Sequence, residues 1–256
     1  MWPYTHGILM PAAYTPGAVE FDGTNDVMSR STDFTGNAAS QVGTLSFWYL
    51  PSTGSGFTEY VYASTGAGGV INYVAQLAAS SALELLFLSS TGGTVVNLGS
   101  TVLVTSTGGW RHIAAAFDMA STGKSHLYID GVDAKSSTSS QSTALTCAWA
   151  QNGHHVGGVD AASTGNRLAG RLADFYLNTA AFIDISASSN LLLFRSAAGK
   201  PVDLGSSGQT PTGSAPTFFF THVAGATASD FATNRAGNGN MTITGALTES
   251  TSSPSD

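Results

Sequence analysis

Residues 44–51 read TLSFWYLP, and the alternation in this stretch decides the fold class. Leu45, Phe47 and Tyr49 fall on one side of an extended chain, and Ser46, Trp48 and Leu50 fall on the other. Successive side chains of a strand point to opposite faces, so a period of two with large apolar residues marks a strand buried on at least one side. Pro51 and Gly54 end it. Outward from this segment the same texture recurs. Strand candidates lie at Ala18–Asp22, Glu59–Ala63, Val70–Leu77, Leu83–Leu88, Thr94–Leu98 and Trp110–Phe117. Others lie at Ser125–Asp130, Ala144–Trp149, His154–Gly157, Arg171–Leu177, Thr217–Val223 and Met241–Thr244. Gly, Ser, Thr or Asn fills almost every gap, which is the punctuation of a β-sandwich or barrel.

The expected fold is therefore all-β, with one short helix near residues 186–198, where Ser186 can cap and Gly199 with Pro201 can terminate. Residues 1–17, with Pro3, Pro11 and Pro16, read as an extended arm, and 201–256 read as an extension with a loose polar tail from 245. The domain proper is expected over 18–200.

Composition narrows the function classes. The chain has 256 residues, 42% of them hydrophobic and only 10% charged, with a formal net charge of −7. Its nine Lys and Arg residues are scattered from Arg30 to Arg235, so no basic footprint for nucleic acid is present. A single cysteine, Cys147, rules out an intrachain disulfide. No basic segment followed by a long apolar run opens the chain, so neither a secretory signal nor a membrane helix is expected.

Four segments in order resemble laminin-G-like members of the concanavalin A-like lectin/glucanase superfamily. They are VEFDGTNDVMS at 19–29, TLSFWYLP at 44–51, GGWRHIAAAFD at 108–118 with SHLYIDGV at 125–132, and GRLADFYLNTAAF at 170–182. The resemblance implies a two-sheet antiparallel jelly roll and no particular activity. It also implies one Ca²⁺ held by Asp22, Asn25, Asp26 and Asp174, although Ala173 and Phe175 flank Asp174 where relatives carry two adjacent acids. The alternative is that Asp22 and Asn25 simply cap a tight turn. The stretch 190–216 looks like an extension of phage-encoded relatives, which implies a bacteriophage virion protein made in the host cytoplasm, in the exterior capsid or the tail.

Enzymatic activity is not expected. Glucanases of this superfamily carry an E-x-D-x-x-E strand, and none of Glu20, Glu59, Glu84 or Glu249 has acidic neighbours at that spacing. No G-x-S-x-G elbow is present, and His154 and His155 point to opposite faces of one strand. Two binding readings stay open. In the first, the apolar arm residues Trp2, Tyr4, Ile8, Leu9, Met10 and Tyr14 pack on their own subunit or clamp another copy or another virion protein. In the second, a lectin-like module recognises host-surface glycan, with Trp48, Tyr60, Tyr62, Tyr73 and Trp149 as candidate platforms, none of them singled out.

Overall fold

The structure, a computed structural model, describes residues 14–52, 57–66, 71–77, 80–121, 123–160, 162, 165–223 and 225–256. In chain order its strands are β1 (Val19–Asp22), β2 (Val27–Arg30), β3 (Val42–Pro51), β4 (Glu59–Thr65), β5 (Ile71–Gln76) and β6 (Ala82–Leu88). They continue with β7 (Thr94–Leu103), β8 (Arg111–Asp118), β9 (Ser125–Ile129), β10 (Val132–Asp133) and β11 (Ser140–Gln141). The last five are β12 (Gly153–Val156), β13 (Ala169–Asn178), β14 (Phe218–Phe220), β15 (Thr242–Thr244) and β16 (Thr248–Glu249). They form two eight-stranded antiparallel sheets. The first runs β10-β9-β8-β3-β13-β1-β16, with β14 also on β13, and the second runs β11-β7-β6-β5-β4-β12-β2-β15. This is the expected jelly-roll sandwich.

The alternation of β3 places its side chains as expected. Leu45, Phe47 and Tyr49 enter the core between the sheets, while Trp48 joins a small cluster with Ala18 and Ala173 on the other face. Trp149 ties the sheets together, 4.8 Å from the Phe87 ring of β6 and 6.0 Å from the Phe117 ring of β8.

The first sheet is covered on its outer face as well. Ala114 and Ala116 of β8 are small enough for Ile183, Ile185, Phe194, Leu204 and Phe219 to pack over them and over Tyr176. The segment after β13 is thus used as a lid. Its helix is shorter than expected: α1 spans only Ser188–Leu191. Leu191, Leu192, Leu193 and Phe194 are consecutive, so no single helical face can bury all four, and Leu192 is left 47% exposed. Ser188, Ser189 and Asn190 add little helix propensity.

Ala144–Trp149 is also not a strand. Only Cys147 bridges, to Ser40, and side chains satisfy nearby carbonyls: Asn72 Nδ2 donates to Ala148 O and Asn37 Nδ2 to Trp149 O. The tail from 245 is not loose: β16 within it closes the first sheet, just after β15 closes the second. The pairings β15 on β2 and β16 on β1 cover edges that would otherwise stand open. Ser253 Oγ then donates to Pro16 O, and Ser255 Oγ to Tyr14 O.

His112 gives the fold one acid-labile contribution. Fully buried, it lies 2.9 Å from Ser46 Oγ and against the Trp48 ring. Burial, reinforced by Arg195, pushes its pKa down to about 3. Protons therefore favour the unfolded state, so the stability is present above about 6.5 and is lost as pH falls toward 3. By pH 4 the loss from this residue is on the order of 3 kcal/mol. Asp174, whose pKa is raised to about 7, titrates in the opposite sense over this range, so the contribution is read as a difference between proteins: in urea unfolding at pH 7 and pH 4, His112→Gln should fare better on acidification than the parent by about that amount. Equal changes in the two proteins would contradict the assignment.

Candidate functional site

The opening turn is built from its own backbone. Asp22 Oδ1 accepts the N–H groups of Thr24 (2.7 Å), Asn25 (3.1 Å) and Asp26 (3.3 Å). Asp26 accepts from Asp22 N through Oδ2 and from Ala246 N through Oδ1. Burial pulls the Asp22 carboxyl upward, yet these backbone bonds outweigh it and hold the group below its ordinary value. Asp174 is elsewhere. Asp22 pairs with Ala169, and Asp174 lies five residues further along β13, roughly 16 Å away. The four expected calcium ligands therefore do not converge. Asp22 Oδ1 and both Asp26 carboxylate oxygens are taken by backbone amides, and Gly245 of the tail lies against Asp26 and Asn25. Among the described residues no group of three or more His, Cys, Asp or Glu could hold a metal, and this turn does not fit a calcium ion.

Asp174 has a different setting. It is the extra residue of a β-bulge between Ala173 and Tyr176, at φ 48°. The bulge lies where β1 gives way to β14 along one side of β13. There Asp174 Oδ1 accepts the hydroxyls of Thr221 (2.6 Å) and Tyr14 (2.9 Å). Of the expected arm residues, Tyr14 packs on its own chain, while Trp2, Tyr4, Ile8, Leu9 and Met10 lie outside the described residues.

The outer face of the second sheet carries a different kind of cluster. Register sets Tyr73 opposite Leu86 and Leu86 opposite Asn97, while Ala75, Glu84 and Gly99 form the next row. Glu84 therefore stands diagonal to both polar neighbours. Tyr73 Oη donates to Glu84 Oε2 at 2.7 Å, and Asn97 Nδ2 donates to Oε1 at 3.1 Å. Burial and then the bond to Glu84 push the Tyr73 hydroxyl up, which keeps it protonated as a donor. Tyr60 of β4 meets Tyr73 edge to face at 5.5 Å and 89°. Gly99 has no side chain, and beside it a groove of about 240 Å³ opens between Glu84, Asn97, Ser100, Ser136 and Thr138. Tyr60, Tyr73, Glu84 and Asn97 are all half-buried.

Of the five aromatic candidates, Trp48, Tyr62 and Trp149 are buried and supply no platform. Tyr60 and Tyr73 do. Asn97 escaped the sequence reading, and Glu84 was conspicuous there only as a carboxylate without a catalytic partner.

Residues 21–182 match a family profile, Laminin_G_3. The chain belongs to the concanavalin A-like lectin/glucanases superfamily. No characterised protein matches by sequence. Among solved structures the chain is similar to a candidate carbohydrate-binding protein from Bacteroides ovatus, with a TM-score of 0.61 and 18% identity. That match covers 93% of this chain and 61% of the Bacteroides chain. It is also similar to a heptameric SAP-like pentraxin from Limulus polyphemus, with a TM-score of 0.49, 12% identity and coverage of 68% and 81%. Domains LG4-5 of the mouse laminin alpha1 chain match with a TM-score of 0.48, 13% identity and coverage of 70% and 47%. At 18% identity the likeness to the Bacteroides ovatus protein shows the fold alone.

Proposed function

We propose that the protein is a carbohydrate-binding, lectin-like module without a chemical step, and that its glycan site is the outer face of the second sheet. The carrying observation is the Tyr60–Tyr73–Glu84–Asn97 cluster beside an open groove. Sugar rings present apolar C–H faces and a rim of hydroxyls. Aromatic rings suit the faces, and a held carboxylate with a neighbouring amide suits the rim. The Bacteroides ovatus protein, described as a candidate carbohydrate binder, lends the reading support through its fold.

The assembly reading, a bacteriophage virion component, ranks below this one for a physical reason. The extension that suggests it is consumed within the chain, where its Phe194 and Leu204 cover the first sheet. A role in attaching a particle to host glycan remains compatible with the site.

Glycan-array screening followed by titration calorimetry tests the proposal. Tyr73→Ala removes a face of the platform and one holder of Glu84, and should weaken the best hit by about tenfold or more. Absence of saturable binding, or unchanged affinity in Tyr73→Ala, would sink it.

A further inference from the structure

We propose that this groove selects uncharged, hydroxyl-rich oligosaccharides over anionic ones, with Glu84 as the specificity-determining residue; the inference rests on the glycan-binding reading above. The first observation is a gap in charge. No Lys, Arg or His lies between Arg30 and Arg111, and strands β3 to β7, which include every strand of the cluster, come from that stretch. The second is that cations elsewhere are committed. Arg111 pairs with Asp130, Lys124 with Asp118, Arg171 with Glu20 and Arg235 with Asp230. Lys135 is next in sequence to Ser136 at the groove, but its ammonium donates to Ser125 O at 2.7 Å. Arg30 donates to the carbonyls of Asp33 and Asn240.

The third observation is the geometry of Glu84. Each of its oxygens already accepts one bond, from Tyr73 or from Asn97, which fixes the carboxylate in place. A carboxylate oxygen has two lone pairs, so each retains acceptor capacity. A sugar hydroxyl can donate to it. A ligand carboxylate or sulfate offers no proton there and meets a like charge, with no Lys, Arg or His on strands β3 to β7 to offset it. The chain's net charge of −7 adds a longer-range repulsion.

The test titrates the best neutral oligosaccharide from an array and its sulfated counterpart against the full chain. The neutral form should bind at least about tenfold tighter. Glu84→Gln should weaken the neutral ligand, strengthen the sulfated one and bring their ratio toward one. A second readout needs no variant: residual binding of the sulfated form should strengthen as salt screens the repulsion. Equal or tighter binding of the sulfated form, or a ratio unchanged in Glu84→Gln, overturns the selectivity while leaving glycan binding intact. Failure of both ligands to bind overturns the glycan reading itself and this inference with it.

Discussion

Trp149→Ala should lower the unfolding free energy by about 4 kcal/mol, a loss typical of deleting a large aromatic from a packed core. Trp149 is fully buried and stacks on Phe117 of the first sheet at 17° between ring planes, with Phe87 of the second sheet at 51°. Its Nε1 donates to Ser40 Oγ at 3.0 Å. Gly43 lies flat beneath these rings, since a Cβ there would sit 2.7 Å from Phe117 and 3.1 Å from Trp149. Truncation would leave a void between the sheets that neither rigid face can close. Trp149→Phe keeps the stacking and loses only the indole bond and part of the volume, so it should cost well under half as much. For a chain of this size the alanine variant should melt about 10 °C lower. Urea unfolding and calorimetry check both variants, and a loss below about 1 kcal/mol in Trp149→Ala would contradict the bridging role.

Trp149 also illustrates how far the sequence could be read. Its burial follows from its size and apolar surroundings, but the strand expected around it does not form. Asparagine side chains from 72 and 37 take the carbonyls of Ala148 and Trp149, and nothing local announces those partners. The alternating strands were legible because burial on one face forces a period of two, as Leu45, Phe47 and Tyr49 show. Strands β2, β10, β11 and β16, with two to four residues, carry no alternation of large apolar and polar side chains to read. The binding cluster was half legible. Tyr60 and Tyr73 could be named as aromatics, yet Glu84 and Asn97 join them only through strand register, 11 and 13 residues apart along the chain. Asp174 could be read only by resemblance, because the bulge that re-aims it is invisible until β1 and β14 are seen to share β13.

That residue carries the second large effect. Burial, opposed by the hydroxyls of Thr221 and Tyr14 and aided by Asp203, pushes the Asp174 pKa up to about 7. An acid whose folded-state pKa lies above its unfolded value binds protons more tightly in the folded protein. Its contribution is therefore fully present below about pH 4, declines as pH rises and is lost above about pH 7. The full swing is on the order of 4 kcal/mol. Asp174→Asn keeps a carbonyl oxygen for both hydroxyls and removes the charge. The amide nitrogen would take the place of Oδ2, which has no hydrogen-bond partner, and that lowers the gain. Relative to the parent, the variant should thus gain stability between pH 4 and pH 8, by up to about 4 kcal/mol less that penalty. Urea unfolding of both proteins at the two pH values decides it, since acid loss at His112 is common to both and cancels in the comparison. A difference that does not change with pH would refute the assignment. If the difference appears, the charge is retained at a thermodynamic disadvantage, and its position gives a reason: Asp174 holds Tyr14, the first described residue of the arm, at the junction of β1 and β14. Tyr14→Phe deletes one of the two donors that stabilise the carboxylate, so it should steepen the same decline with pH, whereas a Tyr14 that merely packs there would leave the slope unchanged.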